Sequence, residues 1–137
     1  MPIVEDVTVT VQTFDIGIVS ASGALVDFYK AALGLEELEA REFPMATVRR
    51  LACGPGVLKV MIPTDPPAAS PPTGSFWELA GIRYATLWVD DVATTVDGWR
   101  AAGGTVIMEP FELRPGTSSA MVSDPDGNVL EVMHTAT

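Results

Sequence analysis

Two near-identical apolar pentads carry opposite charges at their centres: Val57-Leu58-Lys59-Val60-Met61 and Val129-Leu130-Glu131-Val132-Met133. Each reads as a strand of high β propensity broken by one charge. A charge among apolar neighbours is either a structural ion pair or a group whose surroundings shift its pKa. Desolvation raises a carboxylate's pKa towards neutrality, where it can take and return protons, and a nearby ammonium opposes that shift. Two more polar side chains sit in apolar runs, Asp15 in Phe14-Asp15-Ile16-Gly17-Ile18-Val19 and Tyr84 at the head of Tyr84–Val89. A phenol can donate a hydrogen bond to a carbonyl or enolate oxygen.

Strand alternation puts Val129, Glu131 and Met133 on one face and the wholly apolar Leu130 and Val132 on the other, the face that should pack on helices. Before this strand stands Asp124-Pro125-Asp126-Gly127-Asn128, dense turn chemistry in which Asp and Asn cap their own backbone and Gly supplies a positive φ. The pentads lie about 72 residues apart, and Asp27–Gly34 echoes Asp97–Gly104 at an offset of about 70. Two echoes at nearly one offset indicate a duplicated unit.

The chain in order fits two βαβββ modules. Val7, Val9 and Val11 alternate with polar residues and predict a half-exposed strand before the apolar run at 14–19. Ser20 or Ser22 can cap a helix from about Gly23 to Gly34. Strands at about 36–42, 45–53 and 57–62 complete a first module of about 13–62. A stiff, proline-rich linker spans 63–75, and Phe76 and Trp77 would clamp it to the body. The second module, about 81–134, has a strand Tyr84–Val89 and a helix capped by Asp90 or Asp91 and running to Ala102. Strands at about 105–109, 117–123 and 128–134 follow it. Arg114–Thr117 reads as a loop over a site.

Bulk properties narrow the classes. The 137 residues are 47% hydrophobic, enough for a sizeable core, and carry a formal net charge of −10. That lacks the basic footprint of a nucleic-acid binder. No apolar run is long enough to span a bilayer and no signal-peptide pattern is seen. One cysteine, Cys53, excludes an intrachain disulfide, and the expectation is a soluble cytoplasmic protein. Cys53, with no histidine nearby in sequence, reads as an inert thiol.

Phe28-Tyr29-Lys30-Ala31-Ala32-Leu33-Gly34-Leu35 resembles the FYxxxLGL segment of the vicinal oxygen chelate superfamily of glyoxalase I, bleomycin-resistance proteins and extradiol dioxygenases. Val89-Asp90-Asp91-Val92 with Ala101-Ala102-Gly103-Gly104 looks like its second-module helix, and Asp124–Asn128 with Glu131 like its closing motif. The resemblance implies an α+β fold of two tandem βαβββ modules whose sheets curve into a cup, usually in a homodimer. Metal-dependent members bind a divalent ion with His and Glu from the first and last strands of each module. Only Glu131 matches that pattern. Tyr84 stands at a His position, and Lys59 at an acid position, where an ammonium has no lone pair to offer a cation. The remaining position is Phe14 without a gap or Asp15 with one deletion. Burial favours Asp15 towards the cup, with Phe14, Ile16 and Ile18 against the helices.

On that fold the cup would display Asp15, Gly17, Val57, Lys59, Met61, Tyr84, Thr86, Trp88, Val129, Glu131 and Met133. The implied reading is a small-molecule enzyme with a degraded metal site and no cofactor. Asp15 or Glu131 would move a proton beside a carbonyl, with Tyr84 and Lys59 stabilising the oxyanion. Isomerase, epimerase, lyase and cyclase chemistry all fit, with Met61, Thr86, Trp88 and Met133 binding an apolar ligand. One alternative is a non-catalytic binder like the bleomycin-resistance group. Another is a divalent-metal enzyme that recruits Asp15 and Glu131 with Tyr84 or His134. His134, the single histidine, falls on the face opposite Glu131 and reads as a surface residue. Of the adjacent pair Arg49 and Arg50, one faces the cup, where it could hold a carboxylate or phosphate, although a solvated rim is its expected place.

Overall fold

The structure, a computed structural model, describes residues 9–68 and 75–136. Its elements are β1 (Ile16–Val19), α1 (Ala24–Leu33), β2 (Glu37–Phe43), β3 (Ala46–Cys53), β4 (Gly56–Pro63), β5 (Tyr84–Trp88), α2 (Val92–Ala101), β6 (Thr105–Arg114), β7 (Thr117–Ser123) and β8 (Val129–Thr135), with one 3₁₀ turn at Phe76–Glu78. They form two four-stranded sheets of matching order, β1-β4-β3-β2 and β5-β8-β7-β6. In each, the first strand pairs in parallel with the last, and the remaining pairs are antiparallel. The duplicated α+β architecture expected from the echoes is therefore present. It extends to register, because Lys59 lies beside Gly17 as Glu131 lies beside Thr86.

One core serves both modules. Leu130 and Val132 from the apolar face of β8 join Leu51, Leu58 and Val60 of the first sheet and the inward faces of both helices. Phe28, Tyr29 and Trp99 meet edge to face at its centre, with ring centroids 4.8–5.5 Å apart. The helices thus lie between the sheets, and the opposite faces of the sheets look outward on opposite sides of the chain.

A polar seam crosses the same boundary. The turn before β8 wraps Asp124, whose Oδ1 accepts the N–H groups of Asp126 and Asn128. Its Oδ2 accepts the Tyr29 hydroxyl at 2.7 Å from the other module. Gly127, at φ 91°, provides the left-handed step that the turn requires. Of the two serines expected near the helix start, Ser20 donates its hydroxyl to Asp126 Oδ2 at 2.7 Å, whereas Ser22 Oγ accepts the Ala24 N–H at 3.3 Å. The α1 N-cap is Gly23, with no side-chain cap, whereas Asp91 caps α2 by accepting the Thr94 N–H as expected.

Three expectations are corrected. Residues 9–15 form no strand, so Val9 and Val11 are exposed, and Val7 lies outside the described residues. Their alternation has no partner, because β1 already holds the free edge of β4. Strand β6 runs to Arg114, past its expected end near residue 109, with three register shifts against β7 that hide its alternation. The segment Arg114–Thr117 is accordingly a tight hairpin turn rather than a loose loop, with Gly116 at φ 79°. The linker's residues 69–74 lie outside the described residues.

Glu37 receives the Arg49 guanidinium on two hydrogen bonds and the Lys30 ammonium on a third. The Arg49 bonds, then that of Lys30, hold its carboxyl down at about 2. A depressed carboxylate stabilises the fold above its unfolded pKa, and that contribution is lost as pH falls through the folded value. Acid titration of unfolding should therefore show a Glu37-dependent loss between pH 4.5 and about 2. Glu37→Gln should remove it, a difference on the order of 1 kcal/mol after solvent screening. Equal acid sensitivity in both proteins would contradict this.

Candidate functional site

Residues of β1 and β4 project alternately, and the outward set gathers around a hollow of about 530 Å³. Gly17, Val19, Lys59 and Met61 line it from these strands, Asp15 from just before β1, and Arg41, Phe43, Val48 and Arg50 from β2 and β3. Asp15 rather than Phe14 faces this hollow. Phe14 does not pack on the helices, as the alternation suggested; it is 85% exposed, because the chain is not yet a strand there. Asp15 Oδ1 accepts the Val57 N–H at 2.9 Å, and Oδ2 lies 3.7 Å from Lys59 Nζ. Gly17 leaves the floor open, since a Cβ there would meet nothing within 4 Å.

The second sheet repeats the arrangement with different chemistry. Glu131 Oε1 accepts the Thr86 hydroxyl at 2.9 Å across the parallel β5–β8 pair, while Oε2 has no partner among the described residues. Tyr84 and Trp88 share the outward face of β5 with Thr86, each more than half exposed. Phe76 stacks edge-on to Tyr84 at 5.7 Å, so the linker clamp rests on this face, whereas Trp77 is 70% exposed. Met133 lies on the Glu131 face but is buried, beside Ser119 of β7.

Within one chain these two groups stay apart. Asp15, Lys59 and Met61 belong to the first sheet, and Tyr84, Thr86, Trp88, Glu131 and Met133 to the second, on outward faces turned away from each other. Among the described residues no hydrogen bond or ion pair joins the two sets, and no three His, Cys, Asp or Glu side chains gather closely enough to share a metal ion.

His134 lies on the face opposite Glu131, but it is half-buried rather than a free surface residue. Its ring Nδ1–H donates to the Val89 carbonyl at 2.8 Å. It lines a separate depression with Asp90, Asp91 and Glu112. The Asp91 carboxyl is held below its usual value by the Thr94 N–H. Cys53 is half-buried and unpaired, and burial pushes its thiol pKa up, away from reactivity.

The sequence pattern showed no sign of Arg41 and Phe43, and it left the cup-facing arginine between an anion contact and a solvated rim. Arg49 turns to the helix side and binds Glu37, which leaves Arg50 to face the hollow. The register of β3 with β4 carried the missed signal, because it sets Arg50 directly opposite Lys59.

A family model described as the Glyoxalase/Bleomycin resistance protein/Dioxygenase superfamily matches residues 18–132. A probable lactoylglutathione lyase of Synechocystis sp. is 39% identical over 57 residues, which cover 41% of this chain and 44% of that protein. The chain spans less than half the length of the curated relatives it matches. Among solved structures, SMU.1112c superposes with a TM-score of 0.69 at 25% identity, covering 88% of this chain and 96% of that one. Glyoxalase I from Zea mays superposes with a TM-score of 0.66 at 21% identity, covering 90% of this chain and 44% of that one. No helix among the described residues is long and apolar enough to cross a membrane.

Proposed function

Because the chain belongs to the glyoxalase/bleomycin resistance protein/dioxygenase superfamily, we propose that it is a small-molecule enzyme that moves a proton beside a substrate carbonyl using its own side chains. The observation that carries this reading is Lys59, an ammonium 3.7 Å from Asp15 on the concave face where the family's metal-dependent members place a ligand. An ammonium has no lone pair for a cation, so the donor set of Asp15, Lys59, Tyr84 and Glu131 does not fit a resident divalent ion.

The four polar groups would divide the work by their surroundings. Both Asp15 oxygens are engaged, one by a backbone N–H and one by Lys59. Glu131 has one free oxygen and is the better base. In the step proposed, Glu131 takes a proton from the carbon next to the carbonyl. The C–H electron pair forms a carbon–carbon double bond as the carbonyl π pair moves to oxygen, giving an enolate, and return of the proton to another position or face gives the isomer. Lys59 and Tyr84 would donate hydrogen bonds to the enolate oxygen, with Met61, Thr86 and Trp88 shaping the wall for an apolar substrate and Met133 buried behind it.

That division requires both sheets at one site, and the proposal obtains this from a homodimer. The first sheet of one protomer faces the second sheet of its partner. The exposed Val19, Met61, Tyr84 and Trp88 on the outward faces support this pairing, since each would be covered by it. A single unpaired cysteine suits a reducing compartment, and the proposal places the protein in the cytoplasm.

The test is solvent exchange. The full chain in deuterium oxide is mixed with an enolisable ketone, levulinate or its methyl ester, and with lactoylglutathione, the compound in the relatives' names. Deuterium should enter beside a carbonyl. Glu131→Gln should slow this by about 10²-fold, a typical loss for a general base, with probe binding retained. Binding without exchange would favour a sequestering protein. A stoichiometric divalent ion whose chelation abolishes turnover would overturn the metal-free mechanism.

A further inference from the structure

The hollow on the first sheet has a charge opposite to that of the chain. The protein carries 18 Asp and Glu against 8 Lys and Arg. Three of those cations, Arg41, Arg50 and Lys59, nevertheless line this one hollow, with Asp15 as its single acid. Outside it, Lys30 and Arg49 bind Glu37 and Arg100 binds Asp97 and Glu109, while Arg83 spends its guanidinium on the Leu79, Ala80 and Ile82 carbonyls and Arg114 stands alone among the described residues. Among the described residues Arg41 pairs with no acid, and Arg50 donates only to the Glu39 carbonyl at 3.1 Å.

Strand register sharpens the point. Arg50 and Lys59 are direct partners across the antiparallel β3–β4 pair, an arrangement in which like charges repel. Folding gains nothing from it. Around the cations the walls are apolar, with Val19, Phe43, Val48 and Met61. Guanidinium forks match oxyanions, and apolar walls match a hydrocarbon body. A hollow of about 530 Å³ holds a ligand of ordinary metabolite size.

We infer that this hollow binds the anionic end of the substrate, and that the substrate is an organic acid whose carboxylate or phosphonate-like head docks on Arg41 and Arg50. Lys59 then lies between that head and the reacting carbonyl. The inference rests on the proton-transfer reading for its carbonyl, but the anion site stands on the charges and register alone.

Three probes separate the terms: levulinate, its neutral methyl ester, and acetonylphosphonate. Binding to the full chain is measured by calorimetry at low and high salt. Both anions should bind at least about tenfold more tightly than the ester, the scale of one charge-assisted hydrogen bond. Added salt should weaken the anions and spare the ester. Arg50→Met and Arg41→Met should each reduce the preference, and together abolish it. Arg100→Met, with the same change in net charge outside the hollow, should leave it intact. The ratio of levulinate to acetonylphosphonate affinity tells whether carboxylate or phosphonate is preferred. Equal binding of ester and acid, a preference that survives the double variant, or no anion binding at millimolar concentration overturns the inference. Anion binding without deuterium exchange sinks the proton-transfer reading and leaves the anion site. Exchange that is equally fast on the ester and indifferent to both arginines does the reverse.

Discussion

Asp124→Ala is expected to destabilise the protein by about 3–5 kcal/mol, the scale for stripping a buried, charge-assisted network. The residue is 3% exposed, and its carboxylate accepts two backbone N–H groups, the Asn128 amide and the Tyr29 hydroxyl. Alanine leaves the Tyr29 hydroxyl unpaired in the interior and strips the half-buried turn of the acceptor for its N–H groups. Burial and the adjacent Asp124 charge push the Tyr29 phenol well above its usual pKa, so it remains a neutral donor. Tyr29→Phe removes one member and should cost about 1–2 kcal/mol, as a single charge-assisted bond does. Urea unfolding checks both: the midpoint should fall with little change in slope. A shift no larger for Asp124→Ala than for Tyr29→Phe would show that the turn holds without its carboxylate.

Trp99→Ala should cost a further order of 3–5 kcal/mol, the range for removing a large core aromatic. The indole is fully buried between Phe28 and Tyr29, and its N–H donates to the Ser123 carbonyl at 2.8 Å. Gly104 is packed against it so closely that a Cβ there would collide with the indole and with Phe28. Trp99→Phe should recover part of the loss, because it keeps a ring while giving up the hydrogen bond and some volume. The readout is again chemical denaturation, and a loss below about 1 kcal/mol for the alanine variant would mean that the cavity collapses around the gap. Both residues join the modules, so both substitutions should also disturb the angle at which each sheet is presented.

Much of this was legible in the residues because local chemistry and tertiary need agree there. The Asp124–Asn128 turn forms the hydrogen bonds its residue types favour, Asp91 caps α2, and Leu130 and Val132 enter the core on the face that alternation assigns. Where a side chain had two uses, local reading could not decide between them. Ser20 is a good helix cap in isolation but is taken by Asp126 from the other module. The alternation at Val9 and Val11 is a real strand pattern without an edge to pair with. The proposed site could be read by face, with Asp15 and Lys59 at the hollow and Tyr84 and Glu131 on the outward side of the second sheet. Its basic side was not, because Arg41 and Arg50 become neighbours of Lys59 only through the pairing of β2 and β3 with β4. Nor does any local pattern show that the two halves lie on opposite sides of one chain, since that follows from the shared core.

The parallel pairing of first and last strands has a consequence for synthesis on the ribosome. Strand β5 emerges early but its sole neighbour, β8, emerges last, so the second sheet stays open until its final strand is made. Non-local closure of this kind is slow and leaves an unpaired edge exposed to other nascent chains. The strand that ends this vulnerable interval is also the one that carries Glu131, so the carboxylate proposed as the base takes its place only when the second module is sealed.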